Sequence, residues 1–150
     1  MISQQLKKRI RSALGEHPLT DQEISNVEEA LSVKLSKEFI ELNKVCSYEY
    51  NNVLSFLNFG GYGHNSVIES TLGVWAYFNC PHDFIILYDD GSGVVFMDVK
   101  SNSGIVYASI EDTENIVFRK KLNYQHDLFL TFADFYIYLL DEEEKSVIKK

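Results

Sequence analysis

Phe84-Ile85-Ile86-Leu87-Tyr88, then Asp89-Asp90-Gly91-Ser92-Gly93, then Val94-Val95-Phe96-Met97-Asp98, is the stretch that decides the fold. Two continuous apolar runs, rich in β-branched and aromatic residues, flank five residues that favour a turn. The two glycines are free to take positive φ. The arrangement predicts a central strand and its antiparallel return. Ser101-Asn102-Ser103-Gly104 turns the chain again into Ile105-Val106-Tyr107-Ala108. Ile116-Val117-Phe118 reads as a last short strand. Three runs with short connections make an antiparallel meander.

Outward from the meander the periodicity changes to that of helices. Ser3 to Leu14 carries Leu6, Ile10 and Leu14 on one stripe, and Gly15 and Pro18 stop it. Thr20-Asp21-Gln22-Glu23 is a capping box that opens a second helix, whose apolar face is Ile24, Val27 and Leu31. Ser36 caps a third, with Phe39 and Leu42 inward. A short helix is expected from Ser66 to Leu72, followed by Trp75. A closing helix is expected from about Leu128 to Glu142, with Phe129, Phe132, Phe135, Tyr136 and Leu139 on one side. That aromatic stripe reads as core, as do Trp75, Phe132 and Phe135 in one cluster. Asp141 to Glu144 and the terminal lysines read as a frayed, solvated end. Helices, then a meander, then a helix imply a single α+β domain over residues 1–150, the antiparallel sheet covered on one face by helices from both termini.

The charge is uneven. The net formal charge of the 150 residues is −8. Residues 51–118 hold one basic residue, Lys100, against eight acids: Glu69, Asp83, Asp89, Asp90, Asp98, Glu111, Asp112 and Glu114. A fold that exposes this segment has a negative field on one side, which repels nucleic acid and anionic membrane and steers basic proteins inward. No apolar run approaches the roughly 20 residues that span a bilayer. The Met1–Arg9 segment lacks the pattern of a signal peptide, so the expected compartment is the cytoplasm.

Motifs for chemistry are absent from the pattern. Gly60-Gly61-Tyr62-Gly63 has neither a P-loop ending nor dinucleotide-site spacing and reads as a tight turn. Asp89 and Asp90 lie at a hairpin tip without the spacing of a calcium loop. Cys46, Cys80 and four histidines complete no zinc set, and the cysteines read as reduced, buried thiols. No catalytic residue, cofactor or metal site is expected. Asp89, Asp90, Glu111, Asp112 and Glu114 are the candidate partner-binding residues, on turns and strand ends within the acidic segment. Tyr50 and Tyr62 compete with them, because tyrosine is favoured in interface hot spots.

Thr20-Asp21, Ile24, Val27-Glu28, Leu31, Val33 and Leu35 ahead of a capped helix, then Trp75, then Phe84-Ile85-Ile86-Leu87 with Asp90-Gly91-Ser92-Gly93 and Phe96-x-Asp98, then Thr131-Phe132-Ala133-Asp134-Phe135, resemble in order the SUKH superfamily of Smi/Knr type. The likeness covers about residues 18–140. Where the family usually has Leu-Pro, this chain has Leu35-Ser36. The resemblance implies an α+β fold without catalytic residues. It also implies a bacterial immunity protein that neutralises a polymorphic toxin by direct binding, many such toxins being nucleases. The alternative it implies is a regulatory scaffold that binds a cellular partner. The acidic segment is consistent with a basic toxin domain as partner.

Overall fold

A computed structural model describes residues 2–148, without the side chains of residues 147 and 148. Among the described residues six α-helices pack on one four-stranded antiparallel sheet: α1 (Gln4–Leu14), α2 (Asp21–Leu31), α3 (Lys37–Val45), α4 (Val67–Phe78), β1 (Phe84–Asp89), β2 (Gly93–Asp98), β3 (Ile105–Ser109), α5 (Thr113–Val117), β4 (Asp127–Phe129) and α6 (Phe132–Ile148). The strands lie in sequence order, β1-β2-β3-β4. The meander read from the sequence is therefore present, with a bulge between Ile86 and Tyr88 in β1.

The predicted caps at Thr20 and Ser36 are present, and Ser3 and Ser66 start their helices in the same way. The side chains of Ser3, Thr20, Ser36 and Ser66 each accept a backbone N–H from the first turn of their helix. Thr20 and Glu23 close a reciprocal capping box. Four expectations are corrected. Ile116-Val117-Phe118 is not a strand: Ile116 and Val117 end α5, and both are buried. The helix after Ser66 does not end at Leu72. It runs to Phe78 and includes Trp75, whose indole Nε1–H donates to the Phe84 carbonyl at 2.9 Å. The closing helix begins at Phe132, and the chain before it supplies β4. Nor is Asp141 to Glu144 a frayed end. The helix continues through it, Arg9 of α1 bonds Asp141 at 2.5 Å and Glu144 at 2.6 Å, and buried Glu143 accepts the Asn52 N–H. Lys149 and Lys150 lie outside the described residues.

The register sorts the sheet into two faces. Ile85, Tyr88, Val95, Met97, Ile105, Tyr107 and Phe129 share one. Helices from both termini meet this face through an aromatic core. Phe129 and Tyr88 touch Phe135 and Phe56, which continue to Tyr48, Phe39 and Phe132. Trp75, Phe132 and Phe135 all belong to one buried cluster. The other face carries Phe84, Ile86, Val94, Phe96, Val106 and Leu128. Here α4 and α5 cover the β1–β2 half, where the four residues are buried, while Leu128 of β4 is 65% exposed.

The free edge of β1 is closed by neighbouring chain. Thr71 Oγ1 accepts the Ile86 N–H at 3.0 Å, Trp75 reaches the Phe84 carbonyl, and the Leu57 N–H donates to the Leu87 carbonyl at 3.0 Å. An unpaired edge invites pairing with other chains, and these contacts block it.

Candidate protein-binding surface

The acidic candidates gather where β1 ends and β2 begins. Asp90 builds the turn there. Its Oδ1 accepts the N–H groups of Ser92 at 2.8 Å and Gly93 at 2.7 Å, and its Oδ2 accepts the Tyr88 hydroxyl at 2.6 Å. The Gly93 N–H first, then the Tyr88 hydroxyl, hold the Asp90 carboxyl well below the usual carboxylate range. Gly91 takes φ +87°, which a side chain would oppose. Asp89 accepts the Gly91 N–H at 2.8 Å and is exposed. Asp90 is thus committed to shaping the tip, and Asp89 is presented by it.

The tip is fixed to the next segment. Ile110 N–H donates to the Ser92 carbonyl at 2.8 Å, which brings the 3-10 turn Ile110–Asp112 alongside. Exposed Glu111 rides on this turn, and its carboxylate lies beside the Tyr124 phenol, pushing that hydroxyl's pKa up. Glu114 is exposed in the first turn of α5.

Asp112 does not belong to the surface, contrary to the sequence reading. It is 0% exposed. Its carboxylate accepts the N–H groups of Asn123 at 2.9 Å and Tyr124 at 3.0 Å and the Asn115 amide at 3.0 Å. Burial disfavours its charge, but these donors outweigh burial and hold its pKa below the ordinary value. Asp112 anchors the loop that returns from α5 to β4. Asp98 does the same on the opposite end of the sheet. Burial opposes its charge, yet the Lys100 N–H, the Ser101 hydroxyl and the Arg119 guanidinium at 3.0 Å lower its pKa.

Two aromatic residues that the sequence reading did not single out complete the acidic end. Tyr77 of α4 is 83% exposed, and with Phe78, Ile110 and Asp89 it borders a groove of about 380 Å³ between α4 and α5. Tyr124 is half exposed beside Glu111. The signal for Tyr77 was present: extending the Ser66 helix by its own period places Trp75 inward and Tyr77 outward. The acidic end thus joins Asp89, Glu111 and Glu114 to two tyrosines.

Tyr50 and Tyr62 are exposed but lie elsewhere. Tyr50 stacks on His17, the ring centroids 4.1 Å apart. Tyr62 follows Gly60, whose φ of +88° lets the chain press on α2. A Cβ at Gly60 would stand 2.5 Å from that of Glu23, and Asn26 donates to the Gly60 carbonyl at 2.8 Å. Among the described residues no ring contact or hydrogen bond joins either tyrosine to the acidic end.

No protein-family model matches the chain, and no curated protein matches it significantly. Both cysteines are buried and unpaired by disulfide. Among the described residues the one hydrogen bond of a histidine ring is between His126 Nδ1 and the Tyr124 carbonyl, 2.8 Å. None of the described helices is long and apolar enough to cross a membrane.

Proposed function

We propose that the chain is a SUKH-type protein-binding domain of the cytoplasm, an immunity protein that neutralises a basic toxin domain by direct contact and performs no catalysis. The observation that carries this reading is the acidic, aromatic end of the sheet. Asp89, Glu111 and Glu114 project around a rigid turn, next to Tyr77 and Tyr124. Such a surface has the composition of an interface with a basic protein: tyrosines that bury area at small entropic cost, and carboxylates that speed encounter. The buried acids Asp98 and Asp112 support the reading by a different route. Each is engaged by several donors of the fold, which makes it a builder of loops rather than a reactive group.

The test is co-expression with the C-terminal domain of a toxin gene that this reading expects beside the chain's own, scored for growth, followed by binding kinetics with an inactive form of that domain. Asp89→Lys with Glu111→Lys should slow association about tenfold or more at low salt, with a weaker salt dependence. Tyr77→Ala should weaken binding by about 1 to 2 kcal/mol, mainly through faster dissociation. Should only Tyr50→Ala with Tyr62→Ala weaken binding, the acidic end is not the interface.

A further inference from the structure

The face of the sheet that bears the acidic tip carries the opposite charge at its other end. Between α5 and β4 runs a groove of about 470 Å³, floored by apolar side chains of Phe84, Val106, Ile116, Leu122 and Leu128. Val106 and Leu128 stand side by side in register across β3 and β4. The rim is basic, with Arg119, Lys120, Lys121 and His126. Arg119 is spoken for: it bonds Asp98 at 3.0 Å and Asp83 at 3.3 Å, and its guanidinium lies over the Phe84 ring at 4.7 Å. Lys120 and Lys121 are exposed, and neither forms an ion pair with a described residue.

This rim is built to stay in place. Arg119 takes φ +55°, the Lys120 N–H donates to the Asn115 carbonyl at 2.7 Å, and Asp112 holds the Asn123 and Tyr124 N–H groups. A chain of net charge −8 thus holds the backbone of two lysines that lack ion-pair partners beside an apolar groove that is exposed at Leu128 and partly exposed at Val106 and Leu122. Neither feature contributes much to the fold: exposed Leu128 gains little from burial, Lys121 has no ion-pair partner among the described residues, and Lys120 only lies over the exposed Phe118 ring at 5.5 Å.

We propose that this groove docks an extended acidic segment of a partner protein, its carboxylates on Lys120 and Lys121 and one bulky apolar side chain seated on Val106, Leu122 and Leu128. Charge complementarity selects the occupant. Two unpaired cations suit a pair of carboxylates. They are few for nucleic acid, whose affinity rises with the number of phosphates neutralised and which the acidic remainder of the chain repels. The apolar floor adds the anchor that exposed charge alone does not provide, and a fixed rim lowers the entropic cost of binding. The site is separate from the acidic end and stands or falls independently of the toxin.

The test uses the full chain and a short fluorescein-labelled peptide of alternating Glu and Asp around one central Phe, followed by fluorescence anisotropy at low salt. The controls are the same peptide with Lys for every acid and a short single-stranded oligo-dT. The acidic peptide should bind, and Lys120→Glu with Lys121→Glu should weaken it at least about tenfold. Leu128→Ala should weaken it several-fold, while thermal melting of both variants stays that of the parent. Equal binding of the lysine peptide, tighter binding of oligo-dT, or no response to either variant would each overturn the proposal.

Discussion

The two faces of the sheet have been given different work. One is sealed over β1 and β2 by aromatic side chains of α3, α6 and the segment around Tyr48, with Phe39, Phe59, Phe132 and Phe135 all fully buried, and stays covered toward β3 and β4, where Tyr107 and Phe129 are partly buried. The other is sealed only under α4 and α5 and lies open over β3 and β4, where Val106 is partly exposed and Leu128 mostly so. The difference teaches where stability and where recognition reside. Apolar area removed from water stabilises the domain, and apolar area left at a rigid surface is available to a partner. Substitutions on the two faces should therefore differ several-fold in cost.

The largest effect is expected at the centre of the sealed face. Phe132 touches Phe39, Tyr48, Phe135 and Tyr136 and is 0% exposed. Phe132→Ala should cost about 3 to 5 kcal/mol in urea unfolding. A loss under about 1 kcal/mol would break the comparison, because the helix α6 would then not hold the face.

Next comes Glu49, at the margin of that face. Burial pushes its carboxyl up to about 7 against the Phe59 N–H and Ser47 hydroxyl, with Glu23 adding repulsion. A raised carboxyl pKa means the folded chain holds a proton that the unfolded chain releases. Stability is thus unaffected below about 4.5, falls as pH rises from there to about 7, and stays lower above it. Discounted for the solvent that reaches the group, the penalty above pH 7 is about 1 to 2 kcal/mol. Glu49→Gln should gain that amount at pH 8 and nothing at pH 4. Equal curves for both proteins across the range would show that Glu49 stays hydrated.

How much of this was legible in the chain can be traced residue by residue. The sealed face was readable because β-branched runs, turn residues and the Phe129–Leu139 stripe all repeat at the right period. Reading Ile116-Val117-Phe118 as a strand followed β propensity. The start signals Asp112, Thr113 and Glu114 pointed to a helix, and packing of Ile116 and Val117 decided it. Similarly β4 merged with α6 in the aromatic pattern, although Thr131, whose hydroxyl accepts the Asp134 N–H at 3.2 Å, marks the helix start. At the proposed binding surface, Asp89, Glu111 and Glu114 were chosen by charge and turn position, and the structure leaves all three exposed. Asp112 was misread because its partners Asn123 and Tyr124 lie beyond a helix, and no local pattern announces a loop that returns to cover an acid.

A smaller effect separates two buried tyrosines of the sealed side. Tyr136 donates its hydroxyl to the Cys46 carbonyl at 2.6 Å, whereas the buried Tyr48 hydroxyl has no partner among the described residues. Tyr136→Phe should cost about 1 kcal/mol, and Tyr48→Phe should be neutral or slightly stabilising. Equal losses for both would mean that Tyr48 has a partner in solution.

The smallest effect is expected on the open half, at Leu128. A leucine in the interior of a sheet loses about 2 to 5 kcal/mol on truncation, because transfer energy and a cavity both count against the variant. Leu128 faces the same way as buried Phe96 two strands away, so strand position alone would assign it that cost. Its 65% exposure says otherwise: water already reaches the side chain, and truncation leaves no enclosed cavity. Leu128→Ala should therefore change stability by less than about 0.5 kcal/mol in urea unfolding. A loss above about 1.5 kcal/mol would mean that in solution the chain closes over β4 and that the two faces are alike. A null effect on folding together with weaker binding of the acidic peptide would place the value of this leucine in recognition alone.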